Sequence, residues 1–120
     1  HNWLFATLPV ALHAVQQQKS FTLIPVDVAD RGDGDGARPA VRLWLELKNL
    51  VPGDQVVFQI NGSPLTPSGP AGSDGLLTLP LTSQQLKVGR NQVGVRLVER
   101  GRNAAAPILL TAVEIHLDYP

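Results

Sequence analysis

Val41-Arg42-Leu43-Trp44-Leu45-Glu46-Leu47 alternates without a break: Val41, Leu43, Leu45 and Leu47 fall on one side, Arg42, Trp44 and Glu46 on the other. A period of two belongs to an extended strand with one dry face and one wet face. The stretch therefore predicts an antiparallel sheet that buries one side only, not a helix and not a strand covered on both faces.

Working outward, Leu50–Asp54 (LVPGD) supplies a proline-glycine turn and Gln55–Ile60 a second strand with Val56, Phe58 and Ile60 in phase. Asn61-Gly62 is the pair that takes the positive backbone angles of a two-residue hairpin, with Ser63–Thr66 as a short return strand. Pro67–Gly75 reads as a loop and Leu76–Leu81 as a strand. Thr82, followed three residues later by Gln85, predicts a capped helical turn over Ser83–Lys87. Gln92–Arg100 points Val93, Val95 and Leu97 inward. Ile108–Tyr119 is the last strand, with Thr111, Val113, Ile115, Leu117 and Tyr119 on one face and Glu114, His116 and Asp118 on the other.

Toward the N-terminus, Asp30–Pro39 is a Gly/Asp loop. Phe21–Val28 is a strand in which Pro25 argues for an edge or a bulge. Leu4–Gln18 is the one helix candidate, with Pro9 suited to a first helical position. The domain reading is a helical or linker segment over 1–19 and a β-sandwich over 20–120. Six to eight strands joined by hairpins and glycine-rich loops, without recurring crossover helices, predict an all-β, two-sheet antiparallel sandwich of jelly-roll type. A small barrel is the alternative.

The chain has 120 residues, 43% of them hydrophobic and 17% charged, enough for one core. Ten basic residues balance ten acidic ones, so no net field draws a phosphate backbone or an anionic membrane, and neither nucleic acid nor membrane is expected as a partner. There is no cysteine, hence no disulfide or thiolate chemistry. A start at His1 and the absence of methionine read as a piece of a larger protein.

With the strands laid out, Leu43–Leu65 (LWLELKNLVPGDQVVFQINGSPL) resembles the part of galactose-binding-like jelly rolls where a strand leads into an Asn-Gly hairpin. Leu86–Leu97 (LKVGRNQVGVRL) resembles the turn that feeds their penultimate strand, and Val113–Tyr119 (VEIHLDY) their closing strand. The similarity spans about Phe21–Tyr119. It implies a module appended C-terminally to secreted bacterial glycoside-hydrolase-like barrel proteins, where some such domains bind sugar and many brace the enzyme. The family's calcium and sugar positions find no residue-by-residue match in this sequence.

The residues themselves offer few sites. Trp44 stands on the polar face, where its ring suits stacking on a pyranose while charged neighbours bond hydroxyls; Arg42, Glu46, Arg96 and His116 are the companions. Packing against a neighbouring domain explains the same tryptophan. Asp30, Asp33 and Asp35 are the calcium candidates, on a loop that also contains the integrin-type tripeptide Arg31-Gly32-Asp33; read as an EF-hand, the ends of that loop fall on Arg31 and Arg42, which supply no carboxylate. Asn61-Gly62-Ser63 matches a glycosylation acceptor. No residues are set out as a nucleophile or as an acid/base pair, and the histidines have no metal-ligand spacing. The expectation is a non-catalytic accessory or structural module of an extracytoplasmic, carbohydrate-active protein, without a cofactor. Its partners would be a neighbouring domain of the same parent protein and an oligosaccharide, with homo-oligomerisation or strand addition at a sheet edge as further modes.

Overall fold

A computed structural model describes residues 8–12, 21–28, 40–69, 72 and 74–118. Among these residues eight strands follow one another: β1 (Val10–Leu12), β2 (Thr22–Val28), β3 (Ala40–Lys48), β4 (Gln55–Ile60), β5 (Ser63–Leu65), β6 (Leu76–Leu81), β7 (Gly89–Glu99) and β8 (Ile108–Asp118). They form two four-stranded sheets, ordered β1-β8-β3-β6 (sheet A) and β2-β7-β4-β5 (sheet B). All pairings are antiparallel, and the chain passes repeatedly from one sheet to the other. This is the strand order of a jelly-roll sandwich.

The core is the alternation read from the sequence. Leu43, Leu45 and Leu47 of β3, Leu79 of β6 and Val93 and Val95 of β7 are buried to within 1% exposure between the two sheets. The Asn61-Gly62 hairpin forms with φ of 50° and 83°, joining β4 to β5. A short 3-10 turn at Ser83–Gln85 replaces the longer turn expected through Lys87. Its start is held by the Thr82 N–H donating to Gln85 Oε1 at 2.8 Å.

Two sequence expectations are corrected. Within Leu4–Gln18, where a helix is expected, Val10–Leu12 is a strand, because the backbone of Ile108–Leu110 lies open beside it and pairs with it residue for residue. The rest of the expected helix, apart from Leu8 and Pro9, lies outside the described residues. In β8, Thr111 does not share a face with Val113. Glu46 lies opposite Ala112 and Leu47 opposite Leu110, so Thr111 is the extra residue of a bulge. The alternation therefore changes phase: Ile108 and Leu110 are fully buried, after which Val113, Ile115 and Leu117 pack against the core. Thr111 instead donates to the Glu46 carboxylate at 2.6 Å.

The edges of both sheets are blunted against strand addition. β1 and β5 have three residues each, β5 contains Pro64, and the other two edge strands contain Pro25 and Pro80. A proline removes a ladder donor and a three-residue edge offers little template. Pro25, read from sequence as the mark of an edge or a bulge, thus sits on an edge strand.

Gly75 closes the loop before β6. It has φ of 81°, its carbonyl accepts from the Leu47 N–H at 2.9 Å, and a Cβ there would stand 2.0 Å from the Leu47 carbonyl oxygen. Gly75→Ala is expected to destabilise the domain by about 2 kcal/mol, combining left-handed strain with displacement of backbone. Urea unfolding measures it, and a change below about 0.5 kcal/mol would show that the loop moves away freely.

Candidate functional site

The outer face of sheet A is built by register. Arg42 of β3 lies opposite His116 of β8, Trp44 opposite Glu114, and Thr78 of β6 flanks Trp44 on the other side. The diagonal pair Trp44 and His116 stacks, with ring centroids 4.1 Å apart and planes inclined by 13°. The Arg42 guanidinium carbon lies 5.7 Å from the indole centroid. His116 Nε2 meets Glu114 Oε2 at 3.1 Å. Glu46, which accepts from Thr111, also lies 3.6 Å from Lys48 Nζ. The face is thus an aromatic pair inside a ring of charges that largely satisfy one another.

The imidazole stacks on the indole and the Arg42 guanidinium also lies over the ring, so a flat apolar ligand surface such as a pyranose would have to meet the part of the half-buried indole that these two leave uncovered. The indole Nε1 is buried and has no hydrogen-bond partner. A ligand would therefore meet the ring, not the N–H. A covered donor without an acceptor costs about 1–3 kcal/mol. Trp44→Phe removes that donor and keeps a ring for His116, so thermal unfolding is expected to show a net change within about 1 kcal/mol despite the smaller side chain. A larger loss would mean that the indole N–H is satisfied in solution.

β1 covers only Ile108–Leu110 of β8, and beyond that point a groove of about 640 Å³ runs between β8 and β2. Val26, Val28 and Ile115 line it together with Glu114 and His116, which belong to the outer face as well. The aromatic pair and the groove are therefore contiguous.

Of the sequence-predicted companions of Trp44, the structure gathers Arg42, Glu46 and His116 on this face. Arg96 lies elsewhere: it pairs with Val57 in sheet B and places its guanidinium carbon 5.3 Å from the Phe21 ring centroid, on the far side of the sandwich. Asp30, Asp33 and Asp35, the Arg31-Gly32-Asp33 tripeptide, His1 and His13 lie outside the described residues. Among the described residues no three carboxylate or imidazole groups converge as metal ligands.

Asn61, read from sequence as a turn residue and a glycosylation acceptor, is tied at both ends. Its amide nitrogen donates to Gln85 O and Asn91 Oδ1, both at 2.9 Å, and its oxygen accepts from the Gln92 N–H at 2.9 Å. A glycan on that nitrogen would replace one of these donors.

Two polar centres escape the sequence reading. Asn91 is the one fully buried polar residue of the described core. It accepts from the Lys87 N–H at 2.8 Å and donates to Lys87 O at 2.9 Å, with longer contacts to Gly89 O and Val26 O. At the other end of the sandwich, Asp54 accepts from Val51 N–H at 2.7 Å, Arg100 Nε at 3.0 Å and Gly101 N–H. Burial pushes this carboxyl up, but the two backbone donors and the Arg100 charge outweigh it and hold the pKa below the ordinary 3.8. Arg100 also donates to Ala106 O and Asn49 O, knitting the β3–β4 turn to the β7–β8 loop. Asn91 had a legible signal, since it falls in phase with Val93, Val95 and Leu97; Asp54 had none beyond its place in a turn.

No protein-family model matches the sequence, and no curated protein is similar to it at a significant level.

Proposed function

We propose that the chain is a non-catalytic accessory module of a larger, carbohydrate-active protein, one that braces its neighbour outside the cytoplasm. The supporting observation is where the hydrogen-bonding capacity of its buried polar groups goes. Asn61 and Asn91 come from the two sequence lines that resemble galactose-binding-like jelly rolls, and they bond each other and the backbone around them. Asp54 and Arg100 do the same at the opposite end. Groups committed to holding loops in place build a rigid scaffold; catalysis would require such groups aimed at a reacting atom.

A second reading, a carbohydrate-binding module, is favoured by the Trp44–His116 stack. The imidazole fixes the indole in one orientation, and a pre-set ring loses less freedom when a sugar stacks on it. Arg42 and Glu114 flank it as hydroxyl partners.

Calorimetric titration with a panel of oligosaccharides separates the two, run beside an aryl-glycoside hydrolysis assay. The bracing role predicts no saturable heat and no hydrolysis. Saturable heat that disappears in Trp44→Ala, with circular dichroism showing that variant folded, would assign the sheet A face to sugar. Turnover of any glycoside would overturn the non-catalytic reading.

A further inference from the structure

Both outer faces leave a buried polar atom without a partner, Trp44 Nε1 on sheet A and Arg96 Nε on sheet B, and they differ in how their charges are paired. On sheet A the charges are paired locally, His116 with Glu114 and Lys48 with Glu46. On sheet B, Arg96 has no such partner: its only described interaction is with the Phe21 ring, and its Nε is buried without an acceptor. Around it the surface is aliphatic. Val57, directly opposite Arg96, is 36% exposed and Val98, two residues along β7, is 46% exposed. The centre of this face is flat, because Gly94 carries no side chain and Gln59 lies over it; a Cβ on Gly94 would stand 2.7 Å from Gln59 Cγ.

From this we infer that the outer face of sheet B is the docking surface of the domain, and that its occupant is a protein surface presenting an Asp or Glu carboxylate among aliphatic side chains. The inference rests on the accessory reading and says where the neighbour sits. Charge complementarity identifies the occupant. The Arg96 Nε is buried but its two terminal nitrogens are not among the buried unpartnered atoms, so a carboxylate can meet that end of the guanidinium with two parallel hydrogen bonds while the Phe21 ring lies beside it. The exposed valines supply the apolar surroundings in which such a pair outcompetes water. A face levelled by Gly94 and Gln59 and bearing exposed valines suits a protein surface. The blunted sheet edges disfavour strand addition as another route to a partner.

The test uses the whole chain, isotope-labelled for NMR, titrated with the tripeptide acetyl-Val-Glu-Val-amide and with its Gln counterpart. The side-chain Nε–H of Arg96 and the amides of Val57 and Val98 are expected to shift saturably, with the Gln peptide about tenfold weaker, the difference between charged and neutral acceptors. Arg96→Gln should abolish the discrimination between peptides. Val57→Asp, at an exposed position, should weaken the Glu peptide through repulsion and serves if Arg96→Gln does not fold. No shift, equal shifts with both peptides, or shifts confined to Trp44 and His116 would overturn the inference. Concentration-dependent shifts of the same amides without peptide would overturn it in favour of self-association. None of these outcomes bears on the sugar titration or the hydrolysis assay, so the docking surface and the accessory reading fail separately.

Discussion

Asn91→Leu is expected to destabilise the domain by about 4 kcal/mol, although it replaces a polar residue in the core by an apolar one of similar size. The reason is what the asparagine leaves behind. The Lys87 N–H and one Asn61 amide hydrogen lose their acceptor, and Lys87 O loses its donor, all in a region shielded from water. Each abandoned group costs about 1–3 kcal/mol, and the better hydrophobic transfer of leucine offsets only part of this. Asn91→Asp distinguishes this account from simple misfit. Its carboxylate keeps the acceptor but turns a second oxygen toward the carbonyls of Lys87, Gly89 and Val26. The folded state would favour the protonated acid, raising the folded pKa above the unfolded one. The variant should therefore be least stable at neutral pH and recover, relative to wild type at the same pH, as pH falls from that raised pKa toward the ordinary Asp range. Urea unfolding across that range measures both variants. Equal deficits at all pH values would mean that packing, not hydrogen bonding, fixes Asn91.

The same residue shows what a sequence of this kind makes legible. Alternation identifies β3, β4 and β7 and the inward residues of each, because a period of two is a property of the single strand. The Asn61-Gly62 turn and the edge reading of Pro25 are equally local, and they hold in the fold. Sheet membership is not local. Trp44 and Arg96 both read as outward, yet one faces out of sheet A and the other out of sheet B, because β3 and β7 belong to different layers. Hence the expected group of five side chains separates into four on one surface and one on the other. The bulge at Thr111 is invisible for a similar reason. It is a register shift between β3 and β8, residues far apart in sequence, and nothing in ILLTAVEIHLD alone marks the phase change. Asn91 lies between these cases. Its spacing from Val93 places it inward once β7 is known to begin at Gly89, two residues before it, but a Gly-Arg-Asn sequence reads more readily as a turn.

At the opposite end of the sandwich, Asp54→Asn is expected to cost about 3 kcal/mol at neutral pH and to flatten the acid limb of the stability curve. The Asp54 side chain is 1% exposed, whereas Arg100 is 22% exposed. Removing the carboxylate thus strands a partly desolvated guanidinium and turns an amide NH₂ toward donors that formerly met oxygen. The loss stays below that of a fully buried ion pair, because Arg100 retains the carbonyls of Ala106 and Asn49. The pH dependence has a definite sign. The folded pKa of Asp54 is depressed below 3.8, so its contribution is complete above the ordinary Asp range and is lost as pH falls through 3.8 toward the folded value. Wild type should therefore lose stability below about pH 4, while Asp54→Asn, lacking the titrating group, should change less over the same interval. The two curves converge as acid is added. Parallel curves would show that other carboxylates govern acid unfolding. Convergence would place the pH sensitivity of the domain at the junction of the β3–β4 turn and the β7–β8 loop, where one carboxylate holds both connections.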